Sequence, residues 1–409
     1  MQSESGTGHD RGHSRLRLAR AGEPRAFDAI VVGLGAMGSS ALSALARRGK
    51  RVLGIDRFAP PHEHGSSHGG SRVIRLSYFE HPDYVPLLRH AYEGFDRLSR
   101  VCGERLRHET GLVVGGPAGN AAVAGMLRSA REHDLAVDAL DGADLARRFP
   151  QFTVRADDEI VFESRGGFVR PEATIRAALT EARAAGAELE LALPIDTWRS
   201  EGDGVRVETA RGDFVASSLV LATGAWMPEV LGRDAPALRP TRETILWLDD
   251  EGDASWQSSA MPVWLFDRGA QPAVYGVPAF PGMGAPKGMK VGLHGAGPDA
   301  APDSIREPVD PLQLMEAHAA VAERVRDAGG REIVAAKHCL YTMSADTDFV
   351  VGLHPGHANV AVACGFSGHG FKFAPVIGDA LADLALDRAT ALPIGFLAPT
   401  RTASQWRPR

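Results

Sequence analysis

The sequence predicts an α/β protein with a doubly wound (Rossmann-like) nucleotide-binding domain and an inserted antiparallel-sheet substrate domain. Three stretches carry this prediction. A glycine-rich turn joins two apolar runs in 27–56, and a second glycine-rich turn leads into a helix in 364–386. Between them, 239–337 alternates strand-like runs with Pro- and Gly-rich loops, which is typical of an antiparallel sheet. Because both glycine-rich turns fit the nucleotide-binding part, the middle region interrupts it.

The first apolar run opens a strand, turn, helix and strand unit. Apolar spacing predicts a buried strand through Val32, a helix from about Met37 to Arg48, and a second strand ending at Asp56. The preceding residues, 1–26, mix Ser, Gly, His and Arg and lack the apolar core of a secretory signal. We expect them to form a disordered extension.

Later elements follow from the same spacing rules. Apolar residues at helical spacing predict a helix over 76–106, and a proline at a helix start predicts a second one beginning near Pro171, followed by a strand. The stretch 204–225 reads as a hairpin that runs into a buried strand, with Gly224 just beyond its end. A last helix is predicted from about Ala374.

The turn after the first strand fits a dinucleotide-binding fingerprint. Gly33 allows the tight turn, Gly35 lets the backbone approach a pyrophosphate, and Gly38 packs the helix on the strand. Asp56, at the tip of the second strand, can accept hydrogen bonds from a ribose. An acidic residue there favours NAD or FAD over NADP, but Arg57 follows it directly and leaves this choice open.

Composition narrows the class of partner. The 409 residues are 44% hydrophobic and 23% charged, with a formal net charge of -6, so no basic stripe indicates nucleic acid or anionic lipid. No apolar run is long enough to cross a bilayer. Cys102, Cys339 and Cys364 are too few for a disulfide framework, and their spacing predicts no metal site. We expect a cytoplasmic protein that acts on a small molecule.

The second glycine-rich turn predicts a site for an anion. Gly365, Gly368 and Gly370 precede the helix that starts near Ala374, and Lys372 lies at its mouth. Free N–H groups and the helix dipole both favour negative charge at such a place.

Six separated motifs together resemble a known family. The stretches GLGAMG, PPHEHGSSHGGSRVIR, YGVPAF, KVGLH, CLYT and GFSGHGFKF are similar to those of monomeric sarcosine oxidase and N-methyltryptophan oxidase, which are flavin amine oxidases of the D-amino-acid-oxidase-like superfamily. The match runs in order from about Phe27 to about Leu392. It implies a monomer with FAD as cofactor, attached covalently through Cys339. A thioether to the flavin raises its oxidising power and prevents its loss.

The resemblance also divides the chain. It implies an FAD-binding domain formed by 27–106, 168–238 and 345–400, and a substrate domain formed by 107–167 and 239–344.

The loop matching 66–75 passes beside the flavin in the family, which implies several roles. Arg72 would lie against the isoalloxazine ring, Arg75 would pair with the substrate carboxylate, and Lys372 would be a second carboxylate clamp. A planar guanidinium suits both stacking and bidentate pairing. His68 would be a polar group near the reactive face. Small residues keep this loop slim enough to contact the cofactor: Gly65, Ser66, Ser67, Gly69 and Gly70.

The motif KVGLH supplies two more functional residues. Strand alternation places Lys290 and His294 on one face. The resemblance makes Lys290 the cation that promotes reaction of the reduced cofactor with oxygen, because a fixed positive charge stabilises developing superoxide. It makes His294 and Tyr275 substrate-side residues. The residues expected to contact the cofactor are Gly33, Gly35, Met37, Gly38, Asp56, Ser66, Ser71, Arg72, Gly224, Cys339, Gly365, Gly368, Gly370 and Lys372.

With these residues in place, the resemblance implies an oxidase of secondary amines that transfers hydride to FAD and then passes the electrons to O2, giving hydrogen peroxide. Sarcosine, a bulkier N-methyl amino acid and a cyclic imino acid all remain open as substrates. Aromatic residues in 239–273 are candidates for a pocket wall, although tryptophans in such segments are more often core: Trp247, Trp256, Trp264 and Phe266. The alternatives are a nicotinamide-dependent dehydrogenase and a non-catalytic flavin-binding protein.

Overall fold

The architecture comes from a computed structural model that describes residues 25–280, 282 and 286–402. The helices are α1 (Ala36–Arg47), α2 (Tyr84–Cys102), α3 (Ala121–His133), α4 (Gly142–Arg148), α5 (Pro171–Ala184), α6 (Met227–Leu231), α7 (Pro311–Ala322) and α8 (Ala374–Asp387). The strands are β1 (Arg25–Val32), β2 (Val52–Ile55), β3 (Arg72–Ile74), β4 (Arg107–Glu109), β5 (Leu112–Pro117), β6 (Asp138–Leu140), β7 (Asp158–Glu163), β8 (Gly167–Val169), β9 (Glu188–Glu190), β10 (Thr197–Glu201), β11 (Gly204–Thr209), β12 (Gly212–Leu221), β13 (Arg239–Leu248), β14 (Val263–Arg268), β15 (Gln271–Val277), β16 (Met289–Leu293), β17 (Ile333–Met343), β18 (Val350–His354) and β19 (His357–Cys364).

The first sheet confirms the predicted doubly wound part. Its strands run in the order β10-β11-β12-β1-β2-β9, with β19 beside the carboxyl half of β12 and β18 beside β19. Strands β19, β12, β1, β2 and β9 are parallel, so their carboxyl ends meet at one edge. The turns after β1, β2, β12 and β19 therefore lie together, which is where ligands bind in open parallel sheets.

One face of this sheet is covered by helices. Helix α1 packs between α5 and α8, and α2 packs against both α5 and α8. The apolar positions of α2 that predicted a helix, such as Leu87, Leu88 and Phe95, are fully buried in this layer. This burial stabilises the scaffold from which the loops of the site extend.

The second sheet has the order β17-β13-β16-β15-β14-β5-β7-β6. It is antiparallel as predicted, except for the parallel pair β5 and β14. A third sheet, β3-β8-β4, has three short strands. Strands of the second sheet lie within 107–167 and 239–344, and those of the first lie outside them; the domain boundaries themselves stay a prediction.

Two sequence predictions need correction. The helix expected over 76–106 occupies only Tyr84–Cys102, because Pro82 disfavours helical conformation at His81 and the amides of Leu76 and Ser77 bind the carboxylate of Glu163 instead. Helix α7 lies in a stretch for which only strands and loops were predicted. It buries just three residues, Ala317, Ala320 and Val321, so the helical spacing of apolar residues in its sequence is weak.

The predicted extension 1–26 falls mostly outside the described residues, although Arg25 and Ala26 already belong to β1. None of the helices in the described ranges is both long and apolar enough to cross a membrane. Within the same ranges, no three His, Cys, Asp or Glu side chains are grouped so that they could hold a metal ion.

Candidate active site

One long cavity between the two large sheets brings together most of the predicted site residues. It begins at the carboxyl edge of the first sheet and continues along the second sheet to the turn before α8. The predicted residues that line it are Gly33, Gly35, Met37, Asp56, Ser66, Arg72, Arg75, Gly224, Tyr275, Lys290, His294, Cys339, Gly365, Gly368, Gly370 and Lys372.

Three predicted residues do not line this cavity. Gly38 lies behind the turn, where a Cβ atom would come within 1.7 Å of the Gly33 carbonyl oxygen, so it serves the close packing expected of the third glycine. Ser71 takes part through its backbone carbonyl, described below. His68, expected near the reactive face, is 1% exposed and does not line the cavity, so its role stays a prediction. Among the described residues, its two ring nitrogens have no hydrogen-bond partner.

The end of the cavity at the first sheet is shaped by the turn after β1. Gly33 has a φ of +85°, and a Cβ atom there would lie 2.5 Å from the carbonyl oxygen of Ala222, so only glycine fits. The Asp56 carboxylate accepts hydrogen bonds from the amides of Leu34 at 2.6 Å and Phe58 at 2.7 Å. These bonds fix the carboxylate at the cavity wall while leaving lone pairs for a ligand.

The middle of the cavity holds a thiol beside a guanidinium. Cys339 Sγ, on β17, lies 3.3 Å from Arg72 Nη2, and the same nitrogen donates to the Ser66 carbonyl at 2.7 Å. Burial raises the pKa of the Cys339 thiol, although Arg72 and Lys290 act in the opposite direction. The arrangement fixes a sulfur atom at the cavity wall and supplies a cation that favours its thiolate form.

Lys290 lies opposite the loop before β3. Its Nζ donates to the carbonyl oxygens of Gly69, at 3.2 Å, and Ser71. Burial lowers the pKa of Lys290 well below its usual value, and Arg72 adds to this effect. The two carbonyl acceptors favour the ammonium form, and one of its three N–H groups remains for the cavity.

The far end of the cavity carries an ion pair that sequence reasoning missed. Arg75 Nη2 donates to Glu80 Oε1 at 2.7 Å and to Oε2 at 2.5 Å. The guanidinium also lies over the rings of Tyr78, at 4.5 Å, and Phe79, at 4.1 Å. Burial alone would raise the pKa of Glu80, but Arg75, together with His369 and Lys372, lowers that pKa to about 2. Glu80 therefore occupies the guanidinium expected to bind a substrate carboxylate.

Lys372 is held beside this pair. Its Nζ donates to the carbonyl oxygen of His369 at 2.7 Å, and the His369 ring contacts the Tyr78 hydroxyl through Nδ1 and the Thr347 carbonyl through Nε2. Because a carbonyl can only accept, Nε2 carries the proton and Nδ1 accepts from Tyr78. The turn before α8 thus places a lysine in the cavity at a fixed position.

The second sheet supplies the remaining wall. Lys290 and His294 both reach the cavity, as strand alternation predicted. His294 Nδ1 lies 3.2 Å from the Tyr341 hydroxyl, and burial lowers the pKa of His294 to about 4. Burial raises the pKa of Tyr275. At neutral pH His294 and Tyr275 are therefore uncharged.

Aromatic residues of 239–273 belong to the core and not to this wall. Trp247, Trp256, Trp264 and Phe266 are at most 2% exposed, and none lines the main cavity. Apolar side chains line it instead: Phe79, Ile245, Leu265, Val277 and Phe366.

Glu80, Tyr341 and His369 line the cavity but had no role in the sequence prediction. A signal existed for two of them. Tyr341 lies two residues after Cys339 on one strand and so shares its face, and His369 lies within the second glycine-rich turn. No such signal in the sequence pointed to Glu80, because this residue fell in a segment predicted to be helical.

Buried neutral histidines should make the fold sensitive to acid. Burial lowers the pKa of His68 and His369 to about 3 and that of His294 to about 4. Each histidine binds a proton more readily in the unfolded chain, where its pKa is about 6.5, so stability is lost as pH falls below about 6.5. We expect each to remove about 2 kcal/mol of unfolding free energy between about pH 7 and about pH 5.

Urea unfolding at the two pH values measures this loss. A His294→Gln variant should show a smaller loss, and the exposed His81→Asn variant should show the same loss as the parent. Equal unfolding free energies at both pH values would contradict the prediction.

Comparison with known proteins points to one family. A family model described as FAD dependent oxidoreductase matches residues 28–384. The chain is 39% identical over 380 residues to the monomeric sarcosine oxidase of Streptomyces avermitilis, covering 92% of this chain and 98% of that protein. It is 33% identical over 368 residues to the N-methyl-L-tryptophan oxidase of Salmonella arizonae, covering 90% and 97%.

Solved structures share the fold. NikD, described as an unusual amino acid oxidase essential for nikkomycin biosynthesis, superposes with a TM-score of 0.79 at 24% identity, covering 92% of this chain and 98% of that chain. Glycine oxidase from Geobacillus kaustophilus gives a TM-score of 0.76 at 20% identity, covering 92% and 99%. At these identities the two structures indicate a common architecture only.

Proposed function

The chain belongs to the family of FAD-dependent oxidoreductases, and we propose that within this family it is an oxidase of secondary amino acids that uses O2 as electron acceptor. One observation carries the proposal. A single cavity has a dinucleotide-binding turn at one end, a thiol and a lysine in the middle, and two cationic side chains at the other end. A nicotinamide-dependent dehydrogenase would give no function to the thiol or to the second glycine-rich turn.

The residues present fit FAD. A Cβ atom at position 33 would collide with the carbonyl oxygen of Ala222, so the turn stays narrow only with glycine. Asp56 lines the adjoining wall of the cavity. Trp226 Nε1 and Arg75 Nε are buried donors of cavity-lining residues without a hydrogen-bond partner in the described part of the chain. We propose that Gly33, Gly35 and Asp56 hold the adenosine and pyrophosphate, and that Arg72, Lys290 and Cys339 surround the flavin.

Arg75 and Lys372 would bind the substrate carboxylate. Both are nearly inaccessible to solvent, at 5% and 4% exposure, and a guanidinium and an ammonium together match a carboxylate in charge and geometry. The carboxylate would replace Glu80 on Arg75. His294 and Tyr341 would then face the amine from a neutral wall, which favours the free-base form that oxidation requires.

FAD, when bound, supplies the chemistry of accepting hydride from the substrate C–H bond and passing two electrons to O2, which yields hydrogen peroxide. The chain contributes orientation and charge. Lys290 supplies a fixed positive charge where superoxide would develop. The oxidised amine then hydrolyses to an aldehyde and a primary amine, or stays cyclic if the substrate was a ring.

A substrate panel tests this proposal. The purified protein should release peroxide with one or more of sarcosine, an N-methyl aromatic amino acid and a cyclic imino acid, and should release less with the matching amine that lacks a carboxylate. A non-catalytic flavin-binding protein would release none. Absence of both peroxide and anaerobic flavin bleaching across the panel would refute the proposal.

We propose further that FAD is attached through Cys339, because its Sγ lies at the cavity wall beside Arg72. Acid precipitation should give a yellow pellet, and Cys339→Ser should give apoprotein or FAD that is released into the supernatant. The matched control, Cys364→Ser, changes a buried thiol that does not line the cavity and should keep the pellet yellow. A yellow Cys339→Ser pellet would contradict attachment at this residue.

The remaining expectations of the resemblance are also proposals. A monomer is supported by the similarity to proteins named monomeric sarcosine oxidase, and light scattering on the purified holoprotein tests it. A cytoplasmic location stays a prediction.

A further inference from the structure

The loop Gly69–Ser71 is held from two sides. Gly69 and Gly70 have φ values of +93° and +76°, which only glycine adopts readily in succession. Their amides both donate to Glu172 Oε1, at 2.7 Å and 3.1 Å. The carbonyl oxygens of Gly69 and Ser71 accept from Lys290 Nζ on the other side. Successive amides in such a turn form a concavity suited to one anionic oxygen.

We propose that Glu172 is a positioning residue for Lys290, acting through the backbone of Gly69–Ser71. This inference rests on the proposed function, in which Lys290 promotes reaction with oxygen. Glu172 anchors the amides, the amides fix the two carbonyl groups, and the carbonyl groups fix the lysine ammonium. No sequence motif had indicated a role for Glu172.

Position and charge both support this role. Glu172 is the second residue of α5, which packs against α1 and α2, so the anchor sits on a rigid element. Its side chain lines a separate polar cavity and not the main one, which excludes direct contact with a substrate there. Its negative charge also acts to raise the pKa of Lys290 against the effect of burial. An acidic residue in the first turn of a helix is common because of the helix dipole, but here both glycine amides bind the carboxylate.

Three variants separate the effect of the hydrogen bonds to Gly69 and Gly70 from the effect of the negative charge on Glu172. Glu172→Ala removes the anchor, Glu172→Asp keeps the charge but shortens the arm, and Glu172→Gln keeps an oxygen that can accept both amides. The control is Glu63→Gln, which removes a charge from the same polar cavity without touching Gly69 or Gly70. Rapid mixing measures flavin reduction by substrate and flavin reoxidation by O2 separately.

We expect Glu172→Ala to slow reoxidation by about tenfold or more and reduction by less. Glu172→Asp should change the reoxidation and reduction rates in the same direction as Glu172→Ala does. Both rates in Glu172→Gln and Glu63→Gln should stay within about threefold of the parent. In a Lys290→Met background, Glu172→Ala should add less than about twofold, because the residue it positions is gone. Hydrogen exchange of the peptide holding Gly69 and Gly70 should accelerate in Glu172→Ala and Glu172→Asp only.

Two results would overturn this inference and leave the proposed function intact. One is equal slowing of reoxidation by Glu172→Ala in both backgrounds, and the other is unchanged amide exchange in that variant. Should Glu172→Ala not fold, the same comparisons with Glu172→Asp decide the question. Unchanged reoxidation in Lys290→Met by itself would overturn both this inference and the proposed oxygen chemistry.

Discussion

Replacing Lys290 by methionine should slow reoxidation of the reduced enzyme by O2 by roughly a hundredfold or more, and should change flavin reduction by only a few-fold. Methionine has nearly the same length and fills the same space, so the change removes charge without opening a cavity. Lys290 is 1% exposed, and the charge it provides acts in a site from which water is largely excluded. The reaction with oxygen creates an anion near Lys290, whereas the cations proposed to bind substrate lie at the other end of the cavity.

Stopped-flow mixing of pre-reduced enzyme with oxygenated buffer measures the first rate, and anaerobic mixing with substrate measures the second. Lys287→Met is the matched control, because Lys287 lies three residues earlier and is exposed. It should leave both rates unchanged. Losses of equal size in the two half-reactions of Lys290→Met would remove the proposed role of this lysine.

Local sequence rules predicted the parts of the site that depend on backbone geometry. The turn at Gly33 needs a positive φ and a close approach to Ala222, and a glycine fingerprint between two apolar runs signals both. Alternation along β16, continued to the next residue, placed Lys290 and His294 on one face. Such features are fixed by neighbours in the chain, so a single sequence carries them.

Contacts between distant segments could not be predicted in this way. The segment before α2 is not helical because Glu163, far along the chain on β7, binds the amides of Leu76 and Ser77. The non-helical path of the same segment places Glu80 beside Arg75. Glu172 gave no signal, since its partners are backbone amides of a loop about a hundred residues away. The orientation of His68 was not predictable either, because a loop motif does not fix which side of the loop a side chain occupies.

The pairing of Arg75 with Glu80 leads to the prediction with the second large effect. A carboxylate substrate must compete with Glu80 for the guanidinium, since Glu80 contacts Arg75 Nη2 through both oxygens. Arg75→Met removes the guanidinium proposed to bind the substrate carboxylate, so KM should rise by about a hundredfold with a smaller change in kcat. It also leaves the Glu80 carboxylate without its partner, at 17% side-chain exposure. The unfolding free energy should therefore fall by about 3 kcal/mol.

A second substitution separates these two effects. In Arg75→Met/Glu80→Gln the uncompensated charge is gone, so stability should recover while KM stays raised. Glu80→Gln alone keeps Arg75 and removes its competitor, so KM should be unchanged or lower. Steady-state kinetics and urea unfolding of the parent and the three variants give the KM, kcat and unfolding free energy that these comparisons need. If KM returned to the parent value in the double variant, the effect of Arg75→Met would come from the stranded carboxylate, and Arg75 would not be the carboxylate-binding residue.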